Sequence, residues 1–246
     1  MKDIHNHLLY NIDDGSISLE DSIEILNDLY GKGVTDIVLT PHYIIGTNYN
    51  SNNKKKMELL KKLKQNTKVN LYLGNEIYLD NNIIDYIKKG EISTINNSKY
   101  LLVELPLSEK LDSAKDIIFE LVSNGAVPII AHPERYHYLS LKDLEDFINQ
   151  GCLLQGNISS LIGKYGEDAK KNLELLLKKH MIHVLGTDTH RHKIDITSCL
   201  NSLKAIIDEN MFNDLTINNF DNIVNDKDVE AYEIIDTKGF FKEKLK

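Results

Sequence analysis

His5-Asn6-His7, followed by Asp13-Asp14-Gly15, has the makings of a cation site: two imidazoles two residues apart at the end of a short strand-like opening, then paired carboxylates and a glycine. Further nitrogen and oxygen donors follow at His42, Glu76, Glu104, His132, Asp188 and His190. Imidazole and carboxylate mixtures without thiolate suit manganese, iron or zinc better than copper or a cluster. Cations held in this way acidify bound water, and two of them about 4 Å apart can clamp the attacking and leaving oxygens of an in-line phosphoryl displacement. A phosphate monoester is the substrate class that such donors suit.

The elements that must position these donors alternate along the chain. Ser18-Leu19-Glu20-Asp21 reads as a capping box opening a helix with Leu19, Ile23, Leu26 and Tyr30 at helical spacing, stopped by Gly31 and Gly33. Strand-like runs follow at 35–40, 69–76, 100–104, 127–132, 152–157 and 183–188, with helical segments near 54–64, 83–89, 114–122, from 140 onward, and 168–180 between them. Counting the opening strand, this alternation argues for a parallel sheet, closed or nearly closed into a barrel. His5, His7, His42, Glu76, Glu104, His132 and Asp188 all fall at or just past strand ends, on the one rim where such barrels carry active sites. Each alone has an ordinary reading as a hydrogen-bonded histidine or an ion-paired carboxylate. Two carboxylates ending apolar strands, however, are costly to bury unless paired or metal-bound. His137, His180 and His183 lie off the pattern and are expected to be structural or surface residues.

Composition narrows the classes. A chain of 246 residues, 41% apolar and 27% charged, suits one globular domain. A net charge of -8 opposes nucleic-acid binding, which is driven by neutralising phosphates, and so disfavours a nuclease. Lys54, Lys55, Lys56, Lys61, Lys62 and Lys64 are expected to form a solvated helix face. Neither a membrane-spanning run nor a signal sequence is evident, so no membrane insertion and a cytoplasmic location are expected. Cys152 and Cys199 are too few for a disulfide framework. Cysteine-based phosphatase chemistry needs a Cys-x5-Arg loop, yet Ile158 and Ala205 stand six residues beyond the two cysteines.

His5-Asn6-His7, Asp13-Asp14-Gly15, Thr40-Pro41-His42, Gly74-Asn75-Glu76-Ile77-Tyr78, Val103-Glu104, Ala131-His132-Pro133-Glu134-Arg135-Tyr136 and Thr187-Asp188-Thr189-His190 together resemble the motif series of the PHP (polymerase and histidinol phosphatase) superfamily. Within it, the chain is most similar to the bacterial capsule-biosynthesis protein-tyrosine phosphatases of the CpsB/YwqE type. The resemblance implies a distorted (β/α)7 barrel, a TIM-like PHP fold in a single domain over 1–246, with C-terminal helices and a tail from about 197. It implies up to three divalent ions, commonly manganese. His5, His7, Glu76 and Asp188 would hold the first, Glu76 with Glu104 and His132 the second, and Asp14, His42 and His190 the third. Between the neighbours Asp13 and Asp14, the pattern favours Asp14. Arg135 matches the phosphate-binding arginine, and Arg135, Asp188 and His190 form the expected catalytic set. The chain departs from the pattern after His190, where Arg191 and Lys193 are both candidates for the second phosphate ligand.

The implied substrate is a tyrosine-phosphorylated protein, an autophosphorylating kinase of polysaccharide export, with self-association left open. A small-molecule phosphatase such as histidinol phosphatase would use the same metals in a closed pocket. A nonenzymatic, metal-stabilised binding protein is the reading from a different class.

Overall fold

Period-two apolar runs bounded by turn residues become short parallel strands, and the amphipathic segments between them become the helices that cover the ring. The computed structural model describes residues 1–235. Its strands are β1 (Lys2–Asp3), β2 (Asp36–Leu39), β3 (His42–Tyr43), β4 (Asn70–Leu73), β5 (Glu76–Tyr78), β6 (Tyr100–Glu104), β7 (Val127–Ala131), β8 (Leu153–Asn157) and β9 (Val184–Gly186). The helices are α1 (Leu19–Gly31), α2 (Asn53–Lys64), α3 (Ile83–Lys88), α4 (Ala114–Ser123), α5 (Leu141–Asn149), α6 (Glu167–Lys178), α7 (Ile196–Lys204), α8 (Glu209–Asn213) and α9 (Asn219–Val224).

All strand pairings are parallel, in the orders β1-β2-β4 and β3-β5-β6-β7-β8-β9. The two ladders belong to one ring. Two staves are each broken once, at Thr40-Pro41 between β2 and β3, where the expected strand ends, and at Gly74-Asn75 between β4 and β5, inside the run expected to be continuous. Proline lacks the N–H a ladder needs. Gly74 N still donates to Leu39 O and Glu76 N reaches Thr40 O, so pairing carries across both breaks. On the other side β1 closes on β9 through Ile4 N to Leu185 O, Asp188 N to His5 O and His7 N to Thr189 O. The result is the distorted seven-stave (β/α) barrel.

Alternation along each stave decides what lines the barrel axis. Ile4, Val38, Tyr100, Leu102, Ile129, Ala131, Leu153 and Val184 form one buried cluster, closed at the bottom by Phe220, Ile223 and Val224 of α9. Continuing the same phase upward brings Glu76, Glu104, Gln155, Asn157 and Asp188 toward the opposite rim. The larger cluster, with Ile37, Leu71, Leu101, Val103, Ile130 and Leu154, packs the strands against the helices.

Two local expectations are corrected. Ser18 does cap α1, accepting from Asp21 N, but the Asp21 carboxylate turns to Ser16 Oγ and Ile17 N, so the box is one-sided. The reciprocal box is found instead at α5, between Ser140 and Asp143. Lys56 is not part of a solvated face: it is wholly buried with Leu60 and Leu63 on the inner side of α2. The tail expected after the last helices continues past 235, outside the described residues.

Candidate metal and phosphate site

The tautomers of His5 and His7 can be read from their partners. His5 Nδ1 lies 2.8 Å from Gln155 Oε1, and the Gln155 amide is oriented by its own donation to Gly156 O. His7 Nδ1 lies 2.8 Å from Asp13 Oδ2. Both partners are acceptors, so both Nδ1 atoms carry hydrogen, and whenever the rings are neutral both Nε2 atoms present lone pairs. Those Nε2 atoms face each other at 3.1 Å. Glu76 Oε2 stands 3.2 and 3.1 Å from them, and Asp188 Oδ1 3.7 and 3.6 Å. Four electron-rich atoms turned on one point repel unless a proton or a cation sits among them, and a divalent ion fits this donor set.

Glu76 is the hub of the wider cluster. Its Oε2 also lies 3.1 Å from His42 Nδ1, which is buried without hydrogen-bond geometry, and its Oε1 lies 3.1 Å from His132 Nε2. Glu104 joins at 3.6 Å from His132 and 3.9 Å from His42. Toward solvent, Asp14 Oδ1 is 3.6 Å from His42 Nε2 and 3.5 Å from His190 Nε2. Three groups have mutually close ligand atoms: His5, His7 and Glu76; His42, Glu76 and Glu104; His7, Asp14, His42 and His190. The structure thus brings the expected donors to one rim, with departures in grouping: His42 faces two groups, while Asp188 and His132 stand outside the three, Asp188 3.7 and 3.6 Å from His5 and His7 and His132 beside both Glu76 and Glu104. Asp13 stands behind His7 as its orienting carboxylate and also accepts from His42 N, while Asp14 faces the cluster. The side chain of Asp14 is 48% exposed and those of His5 and His7 are 0% exposed. The Asp14 end is therefore the open side.

Crowding sets the protonation of this cluster. Burial opposes charge on His5, but Glu76 and Asp188 raise its pKa to about 9. Burial and the neighbouring Glu76 charge push Glu104 up to about 8. Against burial, His5 and His42 hold Glu76 well below the usual carboxylate range, and His5 and His7 do the same for Asp188. In the metal-free protein His5 and Glu104 bind protons more tightly folded than unfolded, where they titrate near 6.5 and about 4.3. Their contributions are full below the unfolded values and are lost as pH rises through about 9 and about 8. In chelator, the thermal midpoint is expected to fall from about pH 6.5 to about pH 9; a midpoint that holds or climbs over that interval would contradict the assignment.

The opposite wall is cationic. Asp188 Oδ2 accepts from Arg135 Nη1 at 3.1 Å, Asn157 Nδ2 at 3.1 Å and Tyr165 OH at 3.2 Å, which leaves Oδ1 turned to the imidazoles. Arg135 lies 4.7 Å from the Tyr165 ring. Arg135, Lys164, Arg191 and His192 line a cleft of about 600 Å³ whose other walls include Ile44, Tyr49, Tyr78 and Leu107. Of the two candidates after His190, Arg191 lines this cleft, held through Nε by Asp14 O and Gly15 O. Lys193 instead pairs with Glu24 at 2.8 Å on the outer surface. Gln155, Asn157, Lys164 and Tyr165 carried no signal in the sequence beyond the position of the first two on β8.

Backbone strain is concentrated here. His132 and Asp188 adopt positive φ, 33° and 50°, a conformation that costs energy and collects at functional sites. At Gly186 a Cβ would stand 2.5 Å from His5 Cβ, so only glycine lets β9 approach the His5 strand. Both cysteines are buried, with thiols pushed up to about 12 for Cys152 and about 11 for Cys199 by burial. His183, off the pattern, accepts from Leu154 N and is held to about 4 by burial, a structural histidine.

The profile of the family described as "Capsular polysaccharide synthesis, CpsB/CapC" matches residues 1–225. The "Putative tyrosine-protein phosphatase CapC" of Staphylococcus aureus is 39% identical over 197 residues, 77% of each chain. The tyrosine-protein phosphatase YwqE of Bacillus subtilis is 29% identical over 199 residues, 78% of each chain. A crystal structure from a study of Bacillus subtilis YwqE and Streptococcus pneumoniae CpsB, described as metal-dependent tyrosine phosphatases, superposes with a TM-score of 0.86 at 24% identity, covering 96% of this chain and 100% of that one. The chain belongs to the CpsB/CapC family of capsular polysaccharide synthesis proteins.

Proposed function

We propose that this chain is a metal-dependent protein-tyrosine phosphatase acting on a tyrosine-phosphorylated protein of capsule synthesis, with a capsule-type tyrosine kinase as the partner and the cytoplasm as the place of action. The observation that carries the reading is the convergence of His5, His7, Glu76 and Asp188 on one point, opposite Arg135 in an open cleft. Manganese is the favoured ion, with iron or zinc as alternatives, and up to three ions would be held by His5, His7, Asp14, His42, Glu76, Glu104, His132, Asp188 and His190 across the three groups. When bound, such ions supply acidified water and neutralise phosphoryl charge.

The remaining work falls to the chain. Arg135 presents a planar donor to phosphoryl oxygens, and Lys164 and Arg191 add positive charge along the same wall. Ile44, Tyr49, Tyr78 and Leu107 give an apolar and aromatic surface beside which a phenyl ring can lie. A tyrosine leaving group, with a pKa of about 10, departs with little protonation. His190 sits on the rim, its side chain 31% exposed, between the carboxylates of Asp14 and Asp188. Asp13 and Gln155 keep His7 and His5 in the tautomer that offers Nε2.

The direct test is turnover of a phosphotyrosine peptide against histidinol phosphate, with and without chelator. Metal-dependent preference for the peptide is expected; turnover by the metal-free protein would overturn the reading. Cys152→Ser is expected to keep kcat/KM unchanged while costing about 1–3 kcal/mol of stability, because it places a hydroxyl in an apolar slot. Arg191→Ala is expected to raise KM for the phosphopeptide roughly tenfold, the effect of about 1.4 kcal/mol of lost binding, whereas Lys193→Ala leaves it unchanged. Equal effects of the two would remove Arg191 from the phosphate wall.

A further inference from the structure

Lys56 is the least expected buried group in the molecule. It is 0% exposed on the inner side of α2, aligned with Leu60 and Leu63. Its Nζ donates to Asn75 Oδ1, a neutral acceptor, and burial alone pulls its pKa down to about 7. A methionine would fill the same space without desolvating an amine, so packing does not explain it.

Asn75 does explain it. Its Oδ1 also accepts from Ser93 N at 2.9 Å, and its Nδ2 donates to Pro41 O at 2.8 Å. One amide therefore ties together α2, the segment after α3, and both stave breaks, Thr40-Pro41 and Gly74-Asn75. The residue after each break is a candidate ligand: His42 follows Pro41 and Glu76 follows Asn75, and their Nδ1 and Oε2 atoms stand 3.1 Å apart. An amide with two donors on its oxygen and a fixed acceptor on its nitrogen has one orientation, and the ammonium is the donor that reaches it from the helix layer.

We propose that Lys56 is a positioning residue for the metal centre: through Asn75 it locks the paired stave breaks that hold His42 and Glu76 at the spacing a divalent cation needs. The inference rests on the metal-centre reading above. Neither Lys56 nor Asn75 would touch the ion, yet groups one shell out from metal ligands typically control affinity by about 10–100-fold.

The test is Mn2+ titration of metal-stripped protein, reading free ion by electron paramagnetic resonance at a temperature where circular dichroism shows each variant folded. Lys56→Met is expected to weaken Mn2+ binding about tenfold or more. Leu60→Ala, which truncates the same helix face without touching Asn75, is expected to lower the thermal midpoint and leave affinity within about twofold of wild type. Asn75→Ala carries the same expectation as Lys56→Met, keeps the proposal testable should that variant not fold, and in combination with it adds little, because the two act as one unit. Wild-type affinity in folded Lys56→Met, an equal loss in Leu60→Ala, or additive losses in the double variant would each overturn the inference. A wild-type chain that binds no Mn2+ would overturn the metal reading itself, which distinguishes the two failures.

Discussion

Glu76→Ala is expected to strip the protein of most of its bound metal and lower kcat/KM for a phosphotyrosine peptide by more than about a thousandfold, since each ion contributes several kcal/mol of charge stabilisation and about 1.4 kcal/mol is a factor of ten. The expectation rests on where its two oxygens point. Oε2 stands 3.1 to 3.2 Å from nitrogens of His5, His7 and His42, and Oε1 3.1 Å from His132 Nε2. No other carboxylate in the cluster approaches four imidazoles so closely, so its loss removes a donor from two groups at once. Glu76→Gln separates charge from shape: it keeps the volume, removes the charge, and should lose metal nearly as fully. Metal content by mass spectrometry after dialysis, beside kcat/KM, checks both variants. Wild-type metal content in Glu76→Ala would show that these imidazoles do not share an ion with it.

The donors on this rim could be read in the sequence because they end apolar runs. Val103-Glu104 and Ala131-His132 close strands that are otherwise apolar, and a polar group in that position needs a reason. The stave breaks could not be read in this way. Gly74-Asn75 and Thr40-Pro41 look like strand ends or ordinary turns until long-range pairing shows that the ladder resumes beyond them. Asp13 and Asp14 are chemically identical neighbours, and only the folded loop sends one behind His7 and the other toward solvent. Lys56 was hidden by its surroundings: its spacing to Leu60 and Leu63 is that of an inner face, but in a run of lysines the charge pattern outweighs the phase. Gln155 and Asn157 end the one stave without an ionisable residue, and their role as partners of His5 and Asp188 appears only when β8 stands beside them. Lys164 and Tyr165 come from a loop whose path no local pattern dictates.

Arg135→Ala is expected to lower kcat/KM by about 10²–10³, the cost of removing one charged donor aimed at developing negative charge, while metal content stays close to wild type. The second half of that statement is the discriminating one, because Arg135 Nη1 also lies 3.1 Å from Asp188 Oδ2. Losing it need not free Asp188: Asn157 Nδ2 and Tyr165 OH still hold the same oxygen, and the imidazoles still favour the charged carboxylate. The pair also answers why an arginine is used. Its guanidinium lies against the Tyr165 ring, with one edge on Asp188, an arrangement suited to a planar fork and poorly reproduced by a lysine ammonium. Arg135→Lys should therefore recover only a small part of the loss, and the deficit should be larger for a dianionic phosphate monoester than for a monoanionic diester. Metal content falling together with activity in Arg135→Ala would mean that the arginine serves Asp188 rather than substrate. A full rescue by lysine would mean that charge alone, and not the fork, is what the phosphate meets.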